Sequence, residues 1–215
     1  MILYLHGFRS SPQSFKARLL AERVAALGRA HEYQCPQLPP EPNAAIRLAQ
    51  DIVRDVPPDQ LTVIGSSLGG YYAMHLAEMT GCRAALLNPA LRAFEKLAAH
   101  VGPQTAYHDG GEAFTFEPEY LEQLRAMHVP AISGPERYFL TAATGDELLD
   151  WREMAAALPG ARHKIIDGSD HGLSDFEAYL HEVLVFAGIP ATALANRPTL
   201  AGSEKLANSQ ASPDG

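Results

Sequence analysis

The chain is short of cysteine, of excess positive charge and of long apolar runs, and each shortage closes off a class of function. Its 215 residues include two cysteines, Cys35 and Cys82, too few for a disulfide framework and without metal-ligand spacing. Each lies in or beside a predicted strand, so both are expected to be buried free thiols. Lys and Arg number 17 against 25 Asp and Glu, a formal net charge of −8. Nucleic acid and anionic membrane surfaces are poor partners for such a chain, because phosphate binding needs clustered Lys and Arg. No apolar stretch approaches membrane-spanning length. The segment Met1 to Phe8 has no basic stretch and too short an apolar run for a signal peptide, which makes a cytoplasmic location the default expectation. The scattered histidines (His31, His75, His100, His108, His128, His163 and His181) form no His-Glu-x-x-His or similar pairing, so no metal is expected.

What is present is a globular composition, 47% hydrophobic and 20% charged, sufficient for one domain with a substantial core. Short apolar strands are predicted at 2–5, 33–35, 61–64, 84–87, 137–143 and 163–166. Between them, apolar residues recur at helical spacing over 14–27, 44–56, 68–79, 150–158 and 173–186. Strands alternating with helices predict an α/β fold, a mostly parallel, doubly wound sheet of about six strands with helices on both faces. Ligands of such sheets sit beyond the carboxyl ends of the strands, which is where chemistry is to be sought.

One strand ends in Gly65-Ser66-Ser67-Leu68-Gly69, and helix-like sequence begins at once. Gly-x-Ser-x-Gly between a strand and a helix is the context of a nucleophile elbow. Gly65 and Gly69 remove the Cβ atoms that would obstruct the turn, and Ser67 falls at a helix N-terminus, which favours developing negative charge. The bland alternative is a glycine-rich turn, so partners must decide. Two further strand ends supply them. Asp146 follows the 137–143 strand within Thr144-Gly145-Asp146, and His171 follows the 163–166 strand within Gly168-Ser169-Asp170-His171-Gly172.

Serine, acid and histidine in that order along the chain is the α/β-hydrolase order. Ser67 needs a base to take its proton as it attacks. His171 can do so and return the proton to a leaving group, and Asp146 would orient and stabilise the imidazole. Glu147, Asp150, Asp167 and Asp170 are rivals for the acid. Asp146 is favoured by its place directly after a strand end and a glycine, while Asp150 suits a helix cap. The backbone N–H of Leu68, with that of Phe8 in the His6-Gly7-Phe8 loop after the first strand, would form the oxyanion hole. His6 is expected to shape that loop by hydrogen bonding.

Leu3-Tyr4-Leu5-His6-Gly7-Phe8 with Ser10-Ser11-Pro12, the elbow continuing Gly70-Tyr71-Tyr72-Ala73, Leu87-Asn88-Pro89-Ala90-Leu91-Arg92, Thr144-Gly145-Asp146-Glu147 and Asp170-His171 together resemble the small bacterial YqiA-type esterases of the α/β-hydrolase superfamily. The resemblance spans roughly 1–186. It implies hydrolysis of a carboxylic ester or thioester without a cofactor, with Ser67, Asp146 and His171 as the triad. The expectation is therefore a minimal α/β-hydrolase domain over 1–187. Its strands, numbered along the chain, should run 2-1-3-4-5-6, since nothing precedes Met1 to supply a leading hairpin, and the edge near Tyr33–Cys35 should be blunted by prolines. Residues 92–136 should form a cap-like insertion with a helix over 117–128 and a hinge at Gly110-Gly111, and 188–215 a disordered tail. The expected substrate is a small molecule with a small apolar acyl group. Alternatives are C–C hydrolase, peptidase or acyltransferase chemistry on the same apparatus, or a catalytically idle binding protein.

Overall fold

A computed structural model of the protein describes residues 1–106 and 113–195. Six strands form one parallel sheet: β1 (Ile2–Leu5), β2 (Tyr33–Gln34), β3 (Thr62–Ser66), β4 (Arg83–Leu87), β7 (Tyr138–Ala143) and β8 (Arg162–Ile166). Their spatial order is β2-β1-β3-β4-β7-β8, which is 2-1-3-4-5-6 when only sheet strands are counted. Between β4 and β7 lies a separate antiparallel hairpin of β5 (Gly102–Thr105) and β6 (Ala113–Phe116).

The near-continuous apolar strands are explained by burial on both faces. Side chains alternate across a strand, so Leu3, Leu5, Val63, Ala84, Leu86, Leu140 and Ala142 enter one core cluster. Ile2, Tyr4, Ile64, Ala85, Leu87, Phe139 and Ala143 enter the other. The first cluster is closed by α2 (Pro42–Val53), α3 (Leu68–Thr80), α5 (Pro118–Ala126) and α6 (Trp151–Ala157), the second by α1 (Phe15–Ala26), α7 (Leu180–Phe186) and α8 (Ala191–Ala195). A short α4 (Ala93–Lys96) follows β4. The edge strand β2 pairs over two residues only and runs into Pro36. The opposite edge, β8, carries Arg162, His163 and Lys164, charges that discourage edge-to-edge pairing.

Three expectations need correction, and one element was not foreseen. The helix read over 173–186 is broken: Leu173 has φ +51°, a 3-10 turn spans Phe176–Ala178, and only α7 is α-helical. Leu173, Phe176, Leu180, Val183 and Leu184 still bury on one side, and that spacing imitated a continuous helix. The β5–β6 hairpin went unread, because its strands are short, half exposed and interrupted by Pro103. The tail does not lose structure at Gly188. Gly188 (φ +89°) turns the chain after α7, the Ile189 N–H donates to Leu184 O at 2.9 Å, and Ile189 and Leu194 are buried; two apolar anchors suffice to dock the turn. Residues 196–215, and the expected hinge at Gly110-Gly111, lie outside the described residues. Finally, Cys82 is a buried free thiol but Cys35 is only half-buried, as befits an edge strand.

Candidate active site

The turn from β3 into α3 is built around close backbone approach. A Cβ on Gly69 would lie 1.9 Å from the Leu5 carbonyl oxygen, and one on Gly65 would lie 2.1 Å from that of Gly69. Only glycine at both positions lets α3 start so near β1 and β3. Ser67, between them, is forced to φ +54°, ψ −118°, a conformation costing a non-glycine residue on the order of 1–3 kcal/mol. Backbone hydrogen bonds hold it there. Its N–H donates to Leu87 O (3.0 Å), and its carbonyl accepts from Gly70, Tyr71 and Ala90 N–H at 2.9, 3.3 and 3.1 Å.

The three strand-end candidates meet. His171 Nδ1 is 2.8 Å from Asp146 Oδ2, and His171 Nε2 is 2.9 Å from Ser67 Oγ. An ionised carboxylate only accepts, so Nδ1 carries the proton and Nε2 is left to accept from the serine hydroxyl. Asp146 Oδ1 accepts from the N–H groups of Leu148 and Leu149, both at 2.9 Å. The Asp146 side chain is fully buried. Burial alone would raise its pKa, but the His171 hydrogen bond, the two N–H donors and the His171 charge together outweigh it and hold the carboxyl below its ordinary range. The rivals are engaged elsewhere. Glu147 accepts from the His171 N–H at 2.9 Å, Asp150 caps α6 through Arg152 N–H, Asp170 accepts from Ser174 N–H at 3.0 Å, and Asp167 bonds Thr144.

Gly7 lies beside the serine, since a Cβ there would be 3.4 Å from Ser67 Cβ. The N–H groups of Phe8 and Leu68 donate to no backbone carbonyl among the described residues, and both residues line the same hollow as Ser67 and His171. His6 is buried. Its Nε2 accepts from Leu38 N–H at 3.1 Å, and its Nδ1 is 3.0 Å from Gly7 O, so the imidazole ties the loop to the chain beyond β2. From outside, Phe8 packs edge-on against Phe116 (centroids 5.2 Å) and Phe114 (6.0 Å). Arg9 Nε donates to Thr105 O at 2.5 Å. The hairpin thus buttresses this loop.

One polar residue of the site carries no expected role beyond its place in the resembling motif. Asn88, fully buried with φ +41°, accepts at Oδ1 from Ala143 N–H (2.9 Å) and donates through Nδ2 to the carbonyls of Asp170 (3.0 Å) and His171 (3.1 Å). A single amide therefore ties the strand leading to Asp146 to the loop carrying His171. The Asn88-Pro89 pair was visible; a long-range partner 83 residues away was not. Lys16, likewise unmarked by any motif, donates to Gly172 O and lines the hollow.

Solved structures share this architecture. Alpha/beta hydrolase domain-containing protein 10 from mouse superposes with a TM-score of 0.62 at 15% identity, over 86% of this chain and 89% of that one. A structure from the metagenome-derived lipolytic enzymes LipS and LipT gives 0.61 at 18%, over 87% and 92%. Est1E from Butyrivibrio proteoclasticus, with ferulic acid bound, gives 0.59 at 14%, over 87% and 89%. The fold is that of the α/β-hydrolases. Within that class the chain belongs to the uncharacterised protein family UPF0227, the YqiA family, which matches residues 1–188.

Proposed function

We propose that the protein is a serine hydrolase that cleaves a carboxylic ester or thioester with a small apolar acyl group. The observation that carries this reading is the unbroken hydrogen-bonded line from Ser67 Oγ through His171 to the buried Asp146, opening on a hollow of about 510 Å³. Ser67 Oγ attacks the acyl carbon as its proton passes to His171 Nε2. The carbonyl oxygen becomes an oxyanion against the N–H groups of Phe8 and Leu68, each such donor contributing about 3 kcal/mol to the transition state. Collapse breaks the bond to the leaving oxygen or sulfur, which departs with the proton from His171. Water then attacks the acyl-enzyme, giving its proton to His171. The carboxylic acid leaves as the proton returns to Ser67 Oγ. Asp146 stays ionised and holds the imidazole in the tautomer that both half-reactions require.

Phe8, Leu97, Leu148 and Leu149 line this hollow and support an apolar acyl site. Residues 92–136 act as the cap of one hydrolase domain, and the protein works in the cytoplasm on small molecules, without nucleic-acid or membrane partners. No described helix is long and apolar enough to cross a membrane. A fluorophosphonate probe with the adduct mapped by mass spectrometry tests the reading. Labelling at Ser67 that is lost in His171→Ala is expected. No labelling of the folded protein would reject the activated nucleophile in favour of an idle binding protein.

A further inference from the structure

The hollow beside Ser67 is electrostatically unlike the rest of the chain. In a protein of net charge −8, its walls carry Lys16, Lys96, His100 and His171, with no Asp or Glu among the described lining residues. The carboxylates of the neighbouring loops are occupied: Asp146, Glu147 and Asp170 accept from backbone N–H groups. Lys96 is exposed on α4. Lys16, in the first turn of α1, is half-buried, and its amine donates to the carbonyl of Gly172. Neither lysine has a carboxylate in ion-pair contact among the described residues. Burial lowers the Lys16 amine to about 8, against a smaller opposing pull from Asp170. A cation kept partly out of water, with Asp170 acting on it but no carboxylate in ion-pair contact among the described residues, is a cost to the fold, and such costs mark binding sites.

We propose that Lys16, with Lys96 on the wall of the same hollow, selects substrates whose leaving group carries an oxyanion, a carboxylate or a phosphate, at a distance from the ester. This inference rests on the hydrolase reading above and names the substrate class of that site. The side of the ester follows from the chemistry. His171 hands its proton to the leaving atom, so the leaving group departs past His171 Nε2. Lys16 is tied to Gly172, the next residue in the chain. The anionic group takes no part in bond making; the products are the acyl acid and an alcohol or thiol that keeps its negative charge. The acyl group packs against apolar lining residues such as Leu97 and Phe8.

Three aryl acetates test this: 4-acetoxybenzoate, 4-acetoxyphenyl phosphate and the neutral 4-acetoxybenzamide, each rate normalised to its uncatalysed hydrolysis. The readout is the ratio of kcat/KM, anionic over neutral. A charge-assisted contact predicts at least about tenfold preference for an anionic ester, and the larger of the two anionic ratios identifies the oxyanion. In Lys16→Met the ratio falls to about two or three, the share left to Lys96, and Lys16→Arg restores most of it. The exposed Lys96→Met, which leaves the Gly172 contact intact, lowers it about two- to threefold. The wild-type ratio declines with added salt, and it declines above pH about 8 as the Lys16 amine discharges. Asp170 acts on that amine and His171, Lys96 and His100 share the hollow with it, so the Lys16→Arg ratio must stay flat over the same pH interval. A wild-type ratio near one, or a ratio unchanged in both methionine variants, overturns the inference while leaving the hydrolase intact. If no acetate is cleaved and Ser67 resists the phosphonate, the hydrolase reading fails first and this inference with it.

Discussion

Two neighbouring regions of the molecule are held in opposite ways. The strand-end region, comprising the elbow, Asn88, Asp146 and the His171 loop, is held by main-chain groups, bonded to one another and to buried polar side chains such as Asn88. Ser67, Ala90, Asn88 and Gly145 make main-chain hydrogen bonds to neighbouring strands and strand ends, and contacts such as Gly69 against Leu5 leave no room for a Cβ. Around α5 and the residues just after it, beside the apolar packing of Leu124 and Met127, the polar ties run through side chains. Tyr71 donates from its hydroxyl to Leu124 O at 2.5 Å, His75 Nδ1 meets Met127 O at 3.0 Å, and Asn43 N–H donates to Gln123 Oε1 at 2.9 Å. Phe8 packs edge-on against the hairpin rings. The difference teaches where precision is demanded. A reacting constellation tolerates little displacement, while contacts made by side chains can be rebuilt by altering a few residues.

Substitutions should sort along that line. The largest effect belongs to Ser67→Ala, which should lower kcat by about a million-fold with unchanged far-UV circular dichroism; turnover above that floor would falsify the serine mechanism. Gly69→Ala should be the most damaging to the fold. Its Cβ meets the Leu5 carbonyl at 1.9 Å, and forcing the backbones apart should cost about 4 kcal/mol or more, read as loss of soluble protein or a collapsed denaturation midpoint. Asn88→Ala leaves Ala143 N–H and two carbonyls without their partner. It should cost about 3 kcal/mol of stability and lower kcat more than it raises KM. An equal change in both would make Asn88 structural only.

Two smaller effects sharpen the contrast. The folded-state pKa of Asp146 is depressed, so its ionised form stabilises the fold above the ordinary carboxylate range, and that contribution is lost as pH falls through the depressed value. The melting temperature of Asp146→Asn should therefore fall less steeply than that of wild type on acidification. Parallel curves would show that the Asp146 charge is not coupled to folding. In the other region, Tyr71→Phe removes only the hydroxyl that holds Leu124. A loss of about 1 kcal/mol is expected, with phosphonate labelling of Ser67 at the wild-type rate and a shift confined to the relative KM values of long and short esters. Slower labelling would mean that the insertion also sets the nucleophile.

How much was legible in the sequence differs between the same two regions. Strands whose side chains are buried on both faces are runs of apolar residues, so β1, β3, β4 and β7 could be read within a residue or two, and with them the sheet order. Gly65, Ser67 and Gly69 announce themselves because a tight strand-to-helix turn admits few residue types. Asp146 and His171 could be picked out because residues just after parallel strands gather at one edge. Local sequence alone determined those features: periodicity, glycine at a close approach, and position relative to a strand end.

Tertiary structure decided the remainder. The split of 173–186 into a turn and α7 follows from the bonding of the His171 loop, which overrides a helical spacing. Pairing of β5 with β6 brings together short, half-exposed segments with no pattern of their own. Asn88 and Lys16 gain their roles from partners 83 and 156 residues distant. A hydrogen bond between such groups leaves no trace in the spacing of either, because it depends on where the folded chain brings them and not on what stands beside them.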